Sequence, residues 1–538
     1  MTQTDNFARI PLAQVRERLN SSQEFALLDV REQGVHYKGH PFFACPLPLS
    51  RLELMVDDLL PRREVPLVLL DDGDEQLALR AARRLVQLGY THIEILAGGC
   101  RGWAAEGGEL FSGVNVPSKA FGEFVEHHFD TPRVPPEQIE QMRRDGRRMV
   151  ILDSRPFEEY HRMNIPNGID VPGAELVWRV HDLAPDPDTL VVVNCAGRTR
   201  SIIGCQSLRN AGIPNEVVAL KDGTMGWELA GLTVERGSDR TAPAPSAQGA
   251  QRARQAAQQV ADRFEVRFVS GAQVRSWQQQ ASRTLYLLDV RTREEFEQQR
   301  IAGSRHAPGG QLVQATDEYV AVRGARIVLI DPDRVRSVMT ASWLNQMGLD
   351  DVHVLEPEGS TGLGDWPLEH GPRPQPLAVT PDCNTITVPA LNARMTEPGL
   401  TIIDLSTSLR FRDGHIPGAW WAVRARFEEA AEKLPQPETL VLSSEDGLLA
   451  RLACEDAKRC WPMAQVLALE GGNAAWVAAG HALEPGIDQA TTALDDVWYK
   501  PYDQASDYEK HAREYLSWEV ALVDQIRRDP TIRFRAYD

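Results

Sequence analysis

One pattern of short apolar runs occurs four times along the sequence, and this repetition limits the possible folds more than any other feature. Four runs end in an aspartate, at residues 25–29, 150–153, 285–289 and 400–404. A second set lies at residues 67–71, 190–194, 327–330 and 440–443. Short, mainly apolar runs closed by a polar residue predict buried parallel strands.

The spacing within the four copies is nearly constant. Each second run precedes a helix-like stretch (77–88, 201–208), a third short strand (93–96, 216–220) and a glycine-rich turn that ends in tryptophan. The tryptophans are Trp103, Trp227, Trp476 and, after a degenerate turn, Trp366. From the first aspartate to the position aligned with Cys195 the separations are 43, 42, 42 and 41 residues, and from there to the tryptophan 31, 32, 35 and 31. We therefore expect one domain type in four copies, with the tryptophans packed in the cores.

Strands that alternate with helices predict an α/β fold, with a mostly parallel central sheet flanked by helices in each of four tandem domains. The predicted domains are residues 1–112, 131–236, 264–372 and 385–486, followed by a helical C-terminal tail over 490–538. Residues 110–133, 236–247 and 369–384 are predicted linkers, the second a flexible hinge by composition, and 248–264 a helix. The tail carries an apolar stripe at helical spacing, predicted to dock on its own protein: Ala512, Leu516, Val520 and Val523.

Composition narrows the possible partners. The net charge of −18 argues against nucleic acid and anionic membranes as main partners, and no apolar run is long enough to span a bilayer. The start of the chain lacks the layout of a signal peptide. Seven irregularly spaced cysteines predict reduced thiols in the cytoplasm, without a disulfide framework. Because none has zinc-ligand spacing, we expect no metal, and we predict no cofactor.

The loop after the second strand of the second unit carries the candidate site. Ligands of parallel α/β folds bind outside the carboxyl ends of strands. Here the loop reads Cys195, Ala196, Gly197, Arg198, Thr199, Arg200 and Ser201. The aligned positions in the first, third and fourth units hold Asp72, Asp331 and Glu445, so only the second unit has a nucleophile there.

This loop is predicted to favour a thiolate at Cys195. The amides of residues 196–201, the start of the following helix and the guanidinium groups of Arg198 and Arg200 all place positive charge near the sulfur. The same donors are suited to an oxyanion. By contrast, Cys205 and Cys454 are expected to be small buried side chains. Arg155 is expected to form a structural ion pair.

The chain resembles the tandem, multi-domain members of the rhodanese (sulfurtransferase) superfamily. The motifs are Asp29-Val-Arg31, Asp153-Ser-Arg155, Asp289-Val-Arg291, residues 414–419 (Gly-His-Ile-Pro-Gly-Ala), the Cys195 loop and the Gly/Trp turns. The resemblance implies that Cys195 takes up a sulfane sulfur as a persulfide and passes it on. It also implies that units one, three and four are catalytically silent, and that the silent first unit helps to wall the pocket of the second.

The sequence also departs from the family pattern. Family loops commonly have glycine three residues after the cysteine, whereas Gly197 lies two after it. The loop matches neither the usual thiosulfate form nor the usual mercaptopyruvate form. The motif of the fourth unit becomes Met-Asn-Ile-Pro-Asn-Gly at residues 163–168.

The predicted function is sulfur transfer through a Cys195 persulfide. The donor is a small anion such as thiosulfate or a related persulfide, held by residues 196–201, and the acceptor is a thiol or cyanide. Two alternatives stay open. In the first, the four domains form a largely silent scaffold for a sulfur-metabolism partner, and the third and fourth domains bind a protein or a second copy of the chain. Less favoured is a cysteine phosphatase, since only four residues separate Cys195 from Arg200, against five in those phosphatases.

Overall fold

The computed structural model describes residues 6–359, 362–377, 382–504 and 506–537. Parts of several predicted segments lie outside these residues: 1–5 of the first domain, 360–361 of the third, 378–381 of the last linker, and 505 and 538 of the tail. The described chain forms four α/β units followed by a C-terminal segment.

The first two units have the same succession of elements. The first contains β1 (Ala8–Ile10), α1 (Leu12–Leu19), β2 (Phe25–Asp29), α2 (Gln33–His36), β3 (Cys45–Pro46), α3 (Leu52–Leu59), β4 (Leu67–Leu70), α4 (Gln76–Gln87), β5 (Ile93–Leu96) and α5 (Gly99–Ala105). After the connecting helix α6 (Val116–Phe129), the second contains β6 (Arg133–Val134), α7 (Pro136–Arg144), β7 (Met149–Asp153), α8 (Phe157–Arg162), β8 (Ile169–Asp170), α9 (Leu176–Leu183), β9 (Leu190–Asn194), α10 (Thr199–Asn210), β10 (Val217–Leu220) and α11 (Gly223–Leu229).

The second half begins with α12 (Ala247–Arg263). The third unit contains β11 (Arg267–Val269), α13 (Gly271–Gln278), β12 (Leu285–Asp289), α14 (Arg293–Gln298), β13 (Arg300–Ile301), β14 (Arg305–His306), α15 (Gly309–Gln314), α16 (Thr316–Tyr319), β15 (Val322–Arg323), β16 (Arg326–Ile330), α17 (Val335–Gln346), β17 (Val352–Leu355) and β18 (Leu368–Glu369). The fourth contains β19 (Thr385–Ile386), α18 (Val388–Arg394), β20 (Leu400–Asp404), α19 (Ser408–Asp413), β21 (Trp420–Trp421), α20 (Phe427–Lys433), β22 (Thr439–Ser443), α21 (Leu448–Cys460), β23 (Gln465–Leu469) and α22 (Gly472–Ala478). The chain ends with α23 (Tyr508–Ile526), and 3₁₀ turns lie at Leu49–Arg51, Gly173–Glu175, Arg424–Arg426 and Pro501–Asp503.

Each unit has a five-stranded parallel sheet with the same strand order. The orders are β1-β5-β4-β2-β3, β6-β10-β9-β7-β8, β11-β17-β16-β12-β14 and β19-β23-β22-β20-β21. The central strands β4, β9 and β22 are buried along their whole length because helices cover both faces. The predicted α/β fold, repeated four times and followed by a helical tail, is therefore confirmed.

The strand-ending aspartates and the tryptophans have structural roles. Arg155 binds both carboxylate oxygens of Asp153 at 2.8 and 2.7 Å, as predicted, and the Arg31–Asp29 and Arg291–Asp289 pairs repeat this geometry. The buried indoles of Trp103, Trp227 and Trp476 each donate a hydrogen bond to the carbonyl oxygen six residues later. These contacts close the first, second and fourth units just after β5, β10 and β23.

Two predicted linkers are structured parts of the units. Residues 116–129 form α6, and Phe121 and Glu123 on this helix are fully buried. The prediction of a flexible hinge over 236–247 is wrong, because the backbone there pairs with the edge strand β8. The Asp170 amide donates to the Arg240 carbonyl at 2.8 Å, and the Ala242 amide donates to the Asp170 carbonyl at 3.1 Å. Composition does not reveal this pairing, since it depends on an unpaired sheet edge nearby.

The units also join one another through secondary structure. Helix α12 packs against α9 of the second unit and α17 of the third. Strand β15 of the third unit pairs antiparallel with β2 of the first and extends its sheet. These contacts therefore join the first three units directly to one another.

Helix α23 docks on α6, which confirms the predicted docking on its own protein, but only part of the predicted stripe is buried. Its buried residues are Ala512, Glu519 and Leu522, whereas Val520 is 48% exposed. A carboxylate thus occupies a position on the buried face. Among the described residues, no helix is both long and apolar enough to cross a membrane.

The prediction that all cysteines are reduced is wrong for one pair. Cys383, which precedes β19, forms a disulfide with Cys454 in α21 across 71 residues. Cys454 is therefore more than a small buried side chain. The sequence does not indicate the pair, because the two cysteines lie far apart and the spacing matches no familiar framework.

This disulfide gives a direct prediction. Five of the seven cysteines should react with a thiol reagent in denatured, unreduced protein, and all seven should react after reduction. In the chain-entropy description, loss of a cross-link of this span lowers the free energy of unfolding by about 4 kcal/mol. Seven reactive thiols before reduction would contradict the pairing.

Candidate active site

Cys195 directly follows β9 and lies in the short loop before α10, at the carboxyl edge of the second sheet. Its side chain is 1% exposed. The start of α11 fixes the loop, because the amides of Thr224 and Met225 donate to the carbonyls of Cys195 and Ala196 at 2.8 and 2.9 Å. Gly223 makes this approach possible, since a Cβ there would lie 2.4 Å from the Cys195 carbonyl oxygen.

Arg198 is buried and paired with three carboxylates. Its guanidinium binds both oxygens of Glu123 at 2.7 Å, contacts Glu126 and lies 3.3 Å from Asp222. Burial opposes the charge, but the hydrogen bond and charge of Glu123 outweigh it and raise the pKa of Arg198. The predicted role of Arg198 in holding the donor stays a prediction. Its observed contacts join the loop to α6.

Arg200 is the arginine of this site whose charge interacts with Cys195. It binds both oxygens of Glu159 on α8 at 3.0 and 2.8 Å. Burial again opposes the charge, yet the pKa of Arg200 is raised by Glu159 and, to a smaller degree, by the charge of Cys195. Arg200 is therefore within electrostatic range of the sulfur.

The C-terminal helix covers the loop on the side of Gly197. A Cβ at Gly197 would lie 3.3 Å from Tyr515 Cε1 and 3.3 Å from Glu519 Oε2. The Thr199 hydroxyl donates to Glu519 Oε1 at 3.2 Å, and Ser201 donates within the loop to the Arg198 carbonyl at 2.8 Å. The predicted residues 195–201 therefore form a short loop and the first turn of α10, walled by a helix more than 300 residues away in the sequence.

Sequence reasoning missed Tyr515 and Glu519. One weak signal existed, because Glu519 lies seven residues after Ala512 and so falls on the same helical face. A lone carboxylate on an apolar face indicates a buried polar contact without naming its partner.

Strand register corrects two of the equivalent positions. Asn194 pairs with Asp153, as Leu70 pairs with Asp29 and Ser443 with Asp404. The residues that match Cys195 are therefore Asp71, Asp331 and Ser444; Asp72 and Glu445, proposed from spacing, are each one residue too late. In the first unit the error arises because the predicted apolar run extends to Asp71, whereas β4 ends at Leu70.

The three equivalent loops hold no thiol. In the third unit the Asp331 carboxylate accepts hydrogen bonds from the amides of residues 333, 336 and 337 at 3.2, 2.8 and 3.3 Å. In the first unit Asp71 does the same for residues 73, 75 and 78. In these two units a side chain of the loop itself occupies its amide donors.

The rhodanese-like domain family model matches the chain four times, at residues 12–106, 135–230, 270–357 and 387–479. The chain belongs to this family.

A solved structure resembles the whole chain. The crystal structure of a thiosulfate sulfurtransferase from Pseudomonas aeruginosa is 46% identical, with a TM-score of 0.94, and the match covers 99% of this chain and 100% of that one. An HTH-type transcriptional regulator of Mycobacterium tuberculosis is 36% identical over 96 residues, 18% of this chain and 42% of the regulator. A protein-L-isoaspartate O-methyltransferase of Petrotoga mobilis is 32% identical over 100 residues, 18% of this chain and 41% of that protein. The chain thus spans about two fifths of the curated relatives that it matches.

The contacts of Arg198 predict a structural penalty. Arg198→Met should lower the free energy of unfolding by about 3–5 kcal/mol, because Glu123 would be left buried without its cation, whereas Glu126 keeps Arg133. Urea denaturation measures the change. Adding Glu123→Leu to Arg198→Met should recover part of the loss, and a double variant no more stable than the single one would contradict this assignment.

Proposed function

We propose that this rhodanese-type sulfurtransferase carries a sulfane sulfur on Cys195, as a persulfide, between a small anionic donor and a thiophilic acceptor. The observation that carries the proposal is the contrast among four equivalent loops. Only the second has a thiol at the end of its strand, whereas the others have Asp71, Asp331 and Ser444. The 46% identity to a thiosulfate sulfurtransferase over the full length supports the activity and makes thiosulfate the first donor to test.

The burial of Cys195 supports a small donor. A side chain that is 1% exposed is accessible only to a compact molecule or after a local opening. Thiosulfate and small persulfides meet this size limit. Their negative charge suits the loop amides and the N-terminus of α10.

The first half-reaction is a displacement at sulfur. The Cys195 thiolate attacks the outer sulfur of thiosulfate and forms a new S–S bond. The S–S bond of thiosulfate breaks, and sulfite leaves with the electron pair. The loop amides and Arg200 stabilise the departing anion. In the second half-reaction an acceptor nucleophile attacks the outer sulfur of the persulfide, and the Cys195 thiolate is the leaving group. Such double displacement gives ping-pong kinetics.

A scaffold role is the second candidate, and one observation favours it. The silent units hold the segment that covers Cys195: Gln525 of α23 donates to Glu109 of the first unit at 3.0 Å, and the Arg535 amide donates to the Gln346 carbonyl of the third unit at 2.7 Å. The silent units therefore act at least on the architecture of the active one. Deleting everything after residue 245 would remove this cover together with any partner-binding surface, so finer variants are needed to separate the two roles.

The central prediction concerns the thiol. Cys195→Ser should abolish transfer from thiosulfate to cyanide and the mass increase of one sulfur atom in the intact protein, because a hydroxyl forms no persulfide. Cys205→Ser is the matched control, since Cys205 is buried in the same region on α10 with its sulfur 3.9 Å from the Pro132 carbonyl. That control should keep both properties. Turnover by the Cys195 variant would rule the mechanism out, and hydrolysis of an aryl phosphate in place of sulfur transfer would favour the phosphatase alternative.

A further inference from the structure

Glu519 is a buried carboxylate with one oxygen satisfied and the other free. Oε1 accepts hydrogen bonds from the hydroxyls of Thr199 and Tyr515 at 3.2 and 2.9 Å and lies 3.2 Å from Lys119 Nζ. Oε2 has no hydrogen-bond partner among the described residues, although the residue is 0% exposed. Leaving a buried polar atom unpaired is costly, so such an atom beside the Cys195 loop calls for an explanation.

The free oxygen is directed at the loop that carries Cys195. Oε2 lies 3.3 Å from the position that a Cβ at Gly197 would occupy, and Gly197 is two residues from Cys195. Any larger residue at 197 would crowd this oxygen. Glycine therefore keeps the space between the carboxylate and the loop open.

The groups around Glu519 hold it in this orientation. Burial and the charge of Glu519 raise the pKa of Tyr515 well above its ordinary value. The phenol therefore stays protonated and donates a hydrogen bond to Oε1. The charged groups that face Glu519 are Lys119 and Glu123 on α6 and Arg198 in the loop. The two cations offset the two carboxylates, and Oε2 remains an acceptor without a donor among the described residues.

We propose that Glu519 is the general base of the second half-reaction and that the acceptor is a thiol. This inference rests on the proposed function of Cys195. A thiol must lose its proton to become a strong nucleophile, whereas sulfite at about pH 8 is already present mostly as the unprotonated dianion. A carboxylate beside the persulfide would serve a thiol and give no advantage to sulfite.

The step balances without an oxidant or a reductant. Glu519 Oε2 takes the proton of the acceptor R–SH, and the acceptor sulfur forms a bond to the outer sulfur of the Cys195 persulfide anion. The bond between that sulfur and Cys195 Sγ breaks, and its electron pair stays on Cys195 as the thiolate. Glu519 then returns the proton to the outer sulfur, and the product leaves as R–S–SH.

A cavity that shares Tyr515 with this wall offers room for the organic part of a thiol. It has a volume of about 630 Å³ and lies between the first unit and the C-terminal segment. Tyr37, Trp498, Tyr515 and Trp518 are among its lining residues, with Lys38 at the side. Tyr515 belongs both to this lining and to the wall against Gly197. A thiol with a small apolar or aromatic part suits such a surface.

The test separates the two half-reactions. The full-length protein is loaded with sulfur from thiosulfate, freed of donor, and mixed with 2-mercaptoethanol or with sulfite while intact mass reports the loss of the persulfide. Glu519→Gln should slow transfer to the thiol by about 100-fold and leave loading and transfer to sulfite unchanged. Glu509→Gln is the matched control, because Glu509 lies on the same helix, is exposed and forms a surface ion pair with Arg513. It should change neither acceptor.

The pH profile gives a readout that a purely structural role would not move. Between about pH 6 and 8 the wild-type rate with thiol should be nearly flat, because the enzyme removes the proton. In Glu519→Gln the rate should rise about tenfold per pH unit over this range, which lies below the pKa of 2-mercaptoethanol, because only pre-formed thiolate reacts.

The outcomes distinguish the two proposals. If wild-type Cys195 takes up no sulfur, the proposed function fails. If it loads normally and Glu519→Gln transfers to thiol at the wild-type rate and with the wild-type pH profile, only the role of Glu519 fails. Should the Gln variant not load, the wild-type profile decides alone: a tenfold rise per pH unit there overturns the inference.

Discussion

The structure depends on the docking of the C-terminal segment, from about residue 490 onward. This segment contacts all four units and covers the Cys195 loop. Its contacts include Asp496 with Ser408 of the fourth unit, Tyr508 with Glu228 of the second, Gln525 with Glu109 of the first, and the Arg535 amide with Gln346 of the third. Between these anchors, α23 places Tyr515 and Glu519 against Gly197. The Cys195 loop therefore has a wall that is anchored to all four units.

The positive character of the loop is not the sum of its basic side chains. Arg198 is paired with Glu123, Glu126 and Asp222, and Arg200 with Glu159. These pairings fix the arginines in place and offset most of their charge. The loop amides and the start of α10 thus contribute more of the positive character of the loop than the sequence suggests. In the first and third units, Asp71 and Asp331 already occupy the equivalent amides, so these loops have less capacity for a second anion.

Much of this was predictable from the sequence, for local reasons. The apolar runs mark the sheets, since strands buried on both faces need continuous apolar residues, and β2, β9, β12 and β20 span the predicted residues without change. Cys195 could be singled out because the chain contains three copies of its own loop for comparison. The cover by α23, the pairing of residues 240–242 with β8 and the Cys383–Cys454 disulfide could not be predicted, because each joins segments far apart in sequence. The one-residue error at Asp72 and Glu445 has a related cause, as register is fixed by pairing across the sheet.

The claim that one buried thiol carries the sulfur is tested most directly by locating the sulfur atom after brief treatment with thiosulfate. Peptide mapping under non-reducing conditions should place the added sulfur on Cys195 and leave the other free thiols, Cys45, Cys100, Cys205 and Cys460, unmodified. Cys460 is the informative comparison, because it is the one free cysteine that is not buried among the described residues. Sulfur on Cys460 with Cys195 bare would show that exposure, and not the loop, selects the reactive thiol, and would contradict the account.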